Sequence, residues 1–301
     1  MNMSKKKLLF ALASAVLVLG SCNNSSDGQI EQPKYITVST QIGSMTRLGT
    51  DNDGRQTFTD GDEISIYAWT GDPANPTNTA RVVDNAVNQL SNQKWTATPQ
   101  MLWKNMTDAH YFIGIYPKTT ASVPDLTAGS FTLDVNDQEA SDLLVAVRNE
   151  GLTATQNPVS LTFNHVMAKL IVNLQFRNQW GGTPTVEAVK VGSTATEATV
   201  NYLAQTVTPA AGAAKADLSL PATKANEQYI SIVIPQDGIT TLAVRIDGKD
   251  YLYTHPTDIK LEGGKYTTVN LIVGRNEIEL GSVAIDDWTE GTTIDGGEAL
   301  D

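Results

Sequence analysis

Three histidines are the side chains of this sequence that most often bind metal ions or transfer protons in enzymes. His110, His165 and His255 stand far apart along the chain, and none belongs to an H-E-x-x-H pattern. His165 lies among apolar residues and is predicted to be a hydrogen-bonded histidine of the core. A Gly-x-Ser-x-Gly nucleophile motif is absent as well. The sequence therefore predicts no catalytic residue and no metal site, and we expect a protein that is not an enzyme.

Segment 51–54, Asp-Asn-Asp-Gly, is similar to the start of a calcium-binding loop. An EF-hand loop needs a ligand side chain at its fifth position and glycine at its sixth, and here Arg55 and Gln56 stand there. The paired glycines at 263–264 and 296–297 are not followed by a helix pattern, which argues against a phosphate-binding loop. We therefore expect an exposed turn at 51–54 and no cofactor.

Cys22 is the only cysteine of the chain, so no internal disulfide is expected. It follows a basic run at Lys5–Lys7 and an apolar run at Leu8–Leu19, which together are typical of a secretory signal peptide. The apolar run is shorter than the about 20 residues that span a bilayer. Leu19-Gly20-Ser21-Cys22 resembles the lipobox of bacterial lipoproteins, and the resemblance implies cleavage before Cys22, with diacylglycerol on its sulfur and an acyl chain on its new amino group. Residues 1–21 are thus the predicted signal peptide, and the acyl chains, palmitate among them, are the predicted membrane anchor. An ordinary secreted protein is the alternative.

The charge of the predicted mature chain, residues 22–301, excludes several partners. The chain has 18 Lys and Arg against 33 Asp and Glu, a net charge of −15 with neutral histidines. Such a chain repels nucleic acid and anionic lipid. We expect no nucleic-acid partner, and attachment to the membrane through the acyl chains alone. The length exceeds that of one β-sandwich of about 100 residues, which favours two domains.

The first strand is predicted directly after a polar tether. Residues 22–34 lack aromatic side chains and are rich in polar ones, as in a flexible linker. From Tyr35 on, apolar or β-branched residues alternate with other residues, which predicts a half-buried strand at 35–43. Its inward face is predicted to carry Ile36, Val38, Thr40 and Ile42. The polar, Gly- and Asp-rich stretch that follows predicts an exposed loop open to proteases.

The remaining strands are predicted to be short and bounded by Pro, Gly, Asn or Asp. They lie at 64–69, 110–116, 130–135, 142–147, 185–192, 198–208, 229–234, 240–246, 249–253, 265–273 and 276–285. Asp247-Gly248 predicts a two-residue hairpin, in which Val244 faces Tyr251 and Leu242 faces Tyr253. Because no long amphipathic helix pattern is present, the predicted fold is all-β, with two β-sandwiches in tandem.

Segment 159–174 is the most apolar one after the predicted signal peptide. Its β-branched and aromatic residues, and the polar pair Asn164-His165, favour two strands that meet near His165 over a single helix. We therefore place the domain boundary there. The predicted N-terminal sandwich covers residues 35–163 and the predicted C-terminal sandwich covers residues 164–301.

Five tryptophans suggest a second function, because exposed indole rings stack on sugars. Trp69 ends a predicted strand, where large aromatic residues usually close the core of a sandwich. Trp95 and Trp103 are the least committed to a predicted strand and are the candidates for a glycan-binding surface.

Five stretches together resemble the fimbrillins of Bacteroidales, the lipoprotein precursors of type V pili. They are the lipobox ending at Cys22, the early strand followed by Thr46-Arg47, FTDGDEI at 58–64, LTFNHVMAKL at 161–170, and a tail with GKYTTVNL at 264–271, IDDW at 285–288 and Gly296-Gly297. No single stretch is specific to the family, but their order and spacing cover nearly the whole mature chain.

The resemblance implies a structural subunit of a cell-surface fimbria, exported to the outer membrane as a lipoprotein, built of two transthyretin-like sandwiches and supporting adhesion. It implies that a trypsin-like protease cuts after an arginine, here Arg47 or, as the weaker candidate, Arg55. The cut is expected to remove the strand that carries Ile36, Val38 and Ile42 and to open a groove for a strand of another subunit. The implied partners are therefore other fimbrial subunits, the protease and the outer membrane.

The expected donor is the C-terminal strand, whose apolar residues are Ile278, Leu280, Val283 and Ile285. Leu280 and Val283 are three positions apart, whereas residues on one face of a regular strand are two positions apart. A β-bulge near Gly281 is therefore needed to place all four on one face. An arginine directly after a strand favours a polymerising subunit over an anchor or tip subunit. The alternative hypothesis is a monomeric glycan-binding surface lipoprotein, which needs exposed tryptophans but does not need Arg47.

Overall fold

The computed structural model describes residues 35–43, 57–76, 78–137 and 140–287. In these ranges the chain forms nineteen strands: β1 (Val38–Ile42), β2 (Glu63–Thr70), β3 (Arg81–Ser91), β4 (Lys94–Thr98), β5 (His110–Tyr116), β6 (Gly129–Thr132), β7 (Leu144–Leu152), β8 (Val159–His165), β9 (Ala168–Phe176), β10 (Val186–Ala195), β11 (Glu197–Asn201), β12 (Thr206–Pro209), β13 (Lys215–Ser219), β14 (Ala222–Lys224), β15 (Gln228–Val233), β16 (Thr241–Ile246), β17 (Lys249–Thr254), β18 (Lys265–Val273) and β19 (Ile278–Asp287).

Helical structure in these ranges is limited to three one-turn 3₁₀ helices, at Asn78–Ala80, Ala154–Gln156 and Asn178–Trp180. No helix in the same ranges has the length and apolarity that a membrane span requires. The prediction of an all-β fold is confirmed.

A seven-stranded sheet contains most of the strands before residue 166, in the order β1-β8-β7-β5-β2-β3-β4. Its two outer strands lie close to each other, as the hydrogen bond that Trp95 on β4 donates to Thr40 on β1 shows. The sheet therefore curls around a hydrophobic core to which β1, β2, β3, β5 and β8 all contribute. We call this the first core.

The outer face of the same sheet is also covered. Tyr67, Trp69 and Ile113 point away from the first core and belong to a second hydrophobic core that includes residues of later strands. Burial on both faces explains why β2 is buried along nearly its whole length, from Ile64 to Trp69.

Two sheets enclose the second core in the C-terminal half, with the orders β13-β10-β16-β17 and β14-β15-β9-β18-β19. Leu242 and Val244 enter this core from the first of these sheets, and Val172, Val269 and Leu271 enter it from the second. Along β18 every second residue is buried, the two-residue period that a strand with one covered face requires. The pair of sheets is a β-sandwich.

A three-stranded sheet, β12-β11-β6, combines strands from both sides of the predicted domain boundary. β6 pairs antiparallel with β11, from Glu197 opposite Thr132 to Val200 opposite Gly129. The boundary between residues 163 and 164, and the transthyretin-like character of each half, stay predictions.

Local signals located several elements accurately. Segment 159–174 forms β8 and β9, which meet near His165 as predicted. Asp247 and Gly248 have φ values of 48° and 77°, and the hairpin they form pairs Val244 with Tyr251 in the predicted register.

β3 and β4 have no counterpart among the predicted strands. Asn85 in β3 has a φ of 54°, and the pairing of β3 with β2 shifts next to it, between Val83 and Ala86. Such an irregularity breaks the two-residue period on which the sequence prediction relies.

Candidate functional site

β1 is the terminal strand of the seven-stranded sheet and is paired with β8. The pairing is parallel, and its register runs from Val38 opposite Val159 to Ile42 opposite Phe163. Parallel partners cannot be joined by a tight hairpin. β1 is therefore held by its noncovalent contacts and by the chain segment that follows Gly43.

The inward face of β1 and of the two residues before it carries the residues that the alternation predicted. Ile36 is 3% exposed and Val38 is 8% exposed, and both belong to the first core. Ile42 is partly buried against the same core. The side chains between them, Thr37, Ser39 and Gln41, are exposed. β1 thus completes the first core with one face and meets solvent with the other.

Thr40 adds a polar contact to this inward face. Its hydroxyl accepts a hydrogen bond of 2.9 Å from the indole Nε1 of Trp95, which is itself 8% exposed. Phe58 packs edge-to-face on the same indole and on the rings of Tyr116 and Phe163, with centroid separations of 5.2 to 5.5 Å. Trp95 is therefore held in place by an aromatic cluster that does not involve β1.

Phe163 has room for its ring because Gly114 on β5 lacks a side chain. A Cβ atom at Gly114 would lie 2.6 Å from Cζ of Phe163, closer than such atoms approach. We call the space that β1 occupies, between β8 and the aromatic cluster, the β1 groove.

Polar contacts fix both ends of β1 in the groove. The backbone N–H of Ile36 donates to the carbonyl of Met101 at 2.9 Å, and the N–H of Gly43 donates to the carbonyl of Phe163 at 2.7 Å. On the exposed face, the side chain of Asn157 accepts a hydrogen bond from the N–H of Thr37 and donates one to its hydroxyl, both at 2.9 Å. Exposed contacts of this kind contribute little stability, so they set the register more than they hold the strand.

The segment that joins β1 to the rest of the chain contains Arg47 and Arg55, and both arginines lie outside the described residues, as does Cys22. The flanks of the segment are described. β1 lies on one side, and on the other side Phe58 is anchored by the aromatic cluster while the N–H of Thr59 donates to the carboxylate of Asp62 at 2.6 Å.

β19 is the edge strand of its sheet and pairs antiparallel with β18. The register shifts once: Leu280 lies opposite Leu271 and Ser282 lies opposite Asn270, which leaves Gly281 as the extra residue of a bulge. The four candidate donor residues Ile278, Leu280, Val283 and Ile285 lie opposite Val273, Leu271, Val269 and Thr267, all on the buried face of β18. Leu280 is nevertheless 37% exposed and Ile285 is 39% exposed, so this face of β19 is incompletely covered.

The histidines have structural partners. His165 is the core histidine that was predicted, with Nδ1 2.8 Å from Oδ1 of Asp142 and both side chains 5% exposed. His110 is buried, accepts a hydrogen bond from the N–H of Lys104 at Nε2 and donates from Nδ1 to the carbonyl of Asp108. Burial lowers the pKa of His110. Among the described residues, no three His, Cys, Asp or Glu side chains come together as metal ligands.

The structure corrects one expectation about the tryptophans. Trp95 and Trp103 are 8% and 1% exposed, so neither offers its face to a sugar. Trp69 is fully buried, as predicted, and Trp180 is partly buried, with its Nε1 donating to the carbonyl of Val273. Trp288 lies outside the described residues. Trp95 and Trp103, the two candidates for a glycan-binding surface, therefore do not support one.

The sequence pattern predicts β1 but not the residues that surround it. Phe58 is an isolated aromatic residue after a polar stretch, a weak signal by itself. Trp95 lies on a strand that was not predicted, and β8 was predicted as a strand without any signal that β1 is its partner.

Similar folds occur in solved structures of Bacteroidales proteins. A candidate cell adhesion protein from Bacteroides ovatus has a TM-score of 0.66 at 19% identity and covers 87% of this chain and 100% of its own. A candidate cell adhesion protein from Bacteroides uniformis has a TM-score of 0.67 at 18% identity, covering 86% and 100%. The tip fimbrial protein Mfa3 from Porphyromonas gingivalis, with a C-terminal truncation, has a TM-score of 0.53 at 11% identity, covering 84% and 99%. At these identities the likeness shows the fold alone.

Sequence comparison assigns the family. A search of curated proteins finds no match. The model of the fimbrillin-like family matches residues 46–288, which is most of the chain and includes every strand except β1. The chain belongs to the fimbrillin-like family.

Proposed function

We propose that the chain is a structural subunit of a cell-surface fimbria that polymerises by strand exchange after proteolysis. Membership of the fimbrillin-like family supports the role of a fimbrial subunit. The observation that carries the strand-exchange step is the placement of β1. It is a separate edge strand with an apolar inward face, parallel to its partner, and the arginine-containing segment follows it directly.

A cut after Arg47 leaves β1 attached by noncovalent contacts alone. Burial of a side chain such as Ile36 or Val38 contributes about 1.5 to 3 kcal/mol, and each backbone hydrogen bond to β8 adds about 1 kcal/mol. β1 is therefore retained after the cut until another strand with a similar apolar face competes for the groove. This is β-augmentation, in which backbone hydrogen bonds supply affinity and alternate side chains fill pockets.

The proposed donor is β19 of a neighbouring subunit. It is an edge strand, and its apolar face is only partly covered at Leu280 and Ile285. Exposed apolar edge strands invite pairing with another chain. Before the cut, β1 blocks the β1 groove, so the precursor stays monomeric.

We further propose that Cys22 carries the lipid anchor that holds the precursor at the outer membrane before processing. The cut after Arg47 then separates the anchored segment from the body. In this proposal the signal peptide is residues 1–21, the tether is residues 22–34, and the two sandwiches cover residues 35–163 and 164–301. The protein acts by assembly at the cell surface and supports adhesion, with an Arg-specific trypsin-like protease as the processing partner.

The experiment that tests the processing step is the double substitution Arg47→Ala and Arg55→Ala. Treated with an Arg-specific protease, the wild-type precursor should lose its N-terminal segment and form fibres visible by electron microscopy. The double variant should remain a full-length lipidated monomer. Arg275→Ala, a substitution of an exposed arginine far along the chain, is the matched control and should assemble as the wild type does. Detergent-resistant ladders of the double variant would refute strand exchange triggered at this segment.

The lipid anchor is tested separately with Cys22→Ala. Since the mature chain has 18 basic against 33 acidic residues, its net negative charge repels anionic lipid, and this variant should leave the membrane fraction. A variant that still fractionates with the outer membrane would contradict the anchor.

A further inference from the structure

The β1 groove sets a requirement at each inward position of the strand that fills it. The positions of Ile36 and Val38 are 3% and 8% exposed and need apolar side chains. The position of Thr40 needs a hydrogen-bond acceptor, because the Trp95 indole N–H is a donor only and is directed at it. The position of Ile42 is partly open and tolerates a smaller side chain.

We propose that β19 of a second copy enters the groove without its bulge, so that Ser282 takes the place of Thr40 and accepts the hydrogen bond from Trp95. This inference rests on the proposed function and specifies the register of the donor strand. In a regular strand with a two-residue period, Ile278, Leu280, Ser282 and Ala284 lie on one face. They correspond in order to Ile36, Val38, Thr40 and Ile42.

Other registers of β19 conflict with the groove. The opposite parity places Glu279 at the position of Ile36, where a carboxylate would be buried, and Val283 at the position of Thr40, which leaves the Trp95 N–H without an acceptor. A shift by two residues in one direction places Ser282 at the apolar position of Val38 and Ala284 next to Trp95. A shift by two residues in the other direction places Leu280 next to Trp95. Of these registers, only the proposed one places apolar residues at the two buried positions and a hydroxyl next to Trp95.

Gly281 allows β19 to present two different faces. In its own sheet the bulge directs Val283 toward the second core, and the Ser282 hydroxyl accepts a hydrogen bond of 2.8 Å from Nδ2 of Asn270. In a straightened strand Ser282 exchanges this donor for the Trp95 N–H, and Val283 moves to the outer face. Glycine has the widest choice of backbone conformations. Gly281 can therefore adopt both the bulged and the straight form of the strand, which place different residues on one face.

The register is read directly by disulfide trapping in fibres. In the precursor, Ser39 lies opposite Ser160 on the exposed face of β1 and β8. The proposed register places Gly281 opposite Ser160, at the spacing of paired strands, which suits a disulfide. Subunits with Ser160→Cys and Gly281→Cys should therefore form intersubunit disulfides in fibres. The pair Ser160→Cys and Ser282→Cys reports the opposite parity and should not cross-link.

The hydroxyl requirement is tested by the rate of fibre assembly after protease treatment. Ser282→Ala should slow assembly about tenfold, because a buried N–H loses its partner. Ser282→Thr keeps the hydroxyl and should assemble at nearly the wild-type rate. In a Trp95→Phe background, Ser282→Ala should cause no further slowing, since the donor is already gone. Melting curves of the uncut variants show whether loss of the contact to Asn270 weakens the fold itself.

The outcomes separate this inference from the proposed function. If fibres form at the wild-type rate with Ser282→Ala, or if only the Ser282→Cys pair cross-links, the register is wrong while strand exchange stands. If fibres form from the double variant Arg47→Ala and Arg55→Ala, strand exchange at this segment is wrong, and the register loses its basis.

Discussion

Ile36→Ala tests whether the inward face of β1 is what holds this strand in its groove. Ile36 is 3% exposed and belongs to the first core. Substitution of a buried isoleucine by alanine costs about 2 to 5 kcal/mol, and less where neighbours can move into the space. Since Ile36 lies just before β1 at the edge of the sheet, we expect the lower part of that range, about 2 to 3 kcal/mol.

The loss should appear in two different quantities. In the uncut chain, chemical denaturation should show a free energy of unfolding lowered by about 2 to 3 kcal/mol. In the cut chain the same contacts hold β1 as a separate peptide, so its affinity for the groove should fall about 30- to 150-fold. The affinity is measured by adding a labelled wild-type peptide that covers residues 35–43 and following its exchange into the cut protein.

Ser39→Ala is the matched control, since Ser39 lies on the same strand with its side chain exposed. This substitution should change the free energy of unfolding by no more than about 0.5 kcal/mol. Equal effects of Ile36→Ala and Ser39→Ala would refute the argument, because β1 would then be retained by its backbone hydrogen bonds and not by its apolar face.

Three further predictions concern the surroundings of the groove. Gly114→Ala should lower the free energy of unfolding by about 1 to 3 kcal/mol, because its Cβ would lie 2.6 Å from the Phe163 ring; an unchanged melting temperature would show that the ring has room to move. Phe58→Leu removes edge-to-face contacts with three aromatic rings and should cost about 1 to 3 kcal/mol in chemical denaturation, whereas a variant as stable as the wild type would mean that the cluster does not depend on this ring. Burial lowers the pKa of His110 from 6.5, so the unfolded chain binds a proton that the folded chain excludes, and stability should fall as the pH drops below about 6.5. In unfolding curves at pH 7.5 and 5.5, His110→Gln should show a weaker dependence of stability on pH than the wild type. An equal dependence would assign the effect to other groups.

The strands that the sequence located best are those whose signal is local. β18 covers Lys265–Val273 as predicted, because one face of it is covered and the apolar residues alternate without interruption. The hairpin at Asp247-Gly248 was predicted with its register, because both residues need positive φ and a two-residue turn leaves a single way to pair the flanking strands. The bulge at Gly281 likewise follows from the parity of neighbouring apolar residues.

Nonlocal features carried no such signal. Alternation identified β1 as a strand, but nothing in residues 38–42 specifies that the partner is β8, since parallel strands distant in sequence are brought together by the whole fold. Trp95 is a candidate glycan contact by sequence alone, because no alternation of apolar residues marks the strand that carries it. Its burial depends on the curling of a seven-stranded sheet whose outer strands meet.

Because β1 pairs in parallel with β8, no hairpin joins the two strands. The segment that follows β1 therefore links it to the rest of the fold, and a cut there removes that link. In the intact chain, residues 44–56 connect β1 covalently to the body, so a strand that leaves the groove returns as an intramolecular partner with a high effective concentration. A neighbouring strand with the same contacts cannot compete with a partner present at that concentration. After a cut in this segment, no turn of a hairpin retains β1. The strand stays with the lipid-anchored segment, and no covalent link brings it back to the groove of the body. The donor strand, attached to a subunit held nearby, then has the concentration advantage, so assembly needs no contact stronger than those that β1 already makes.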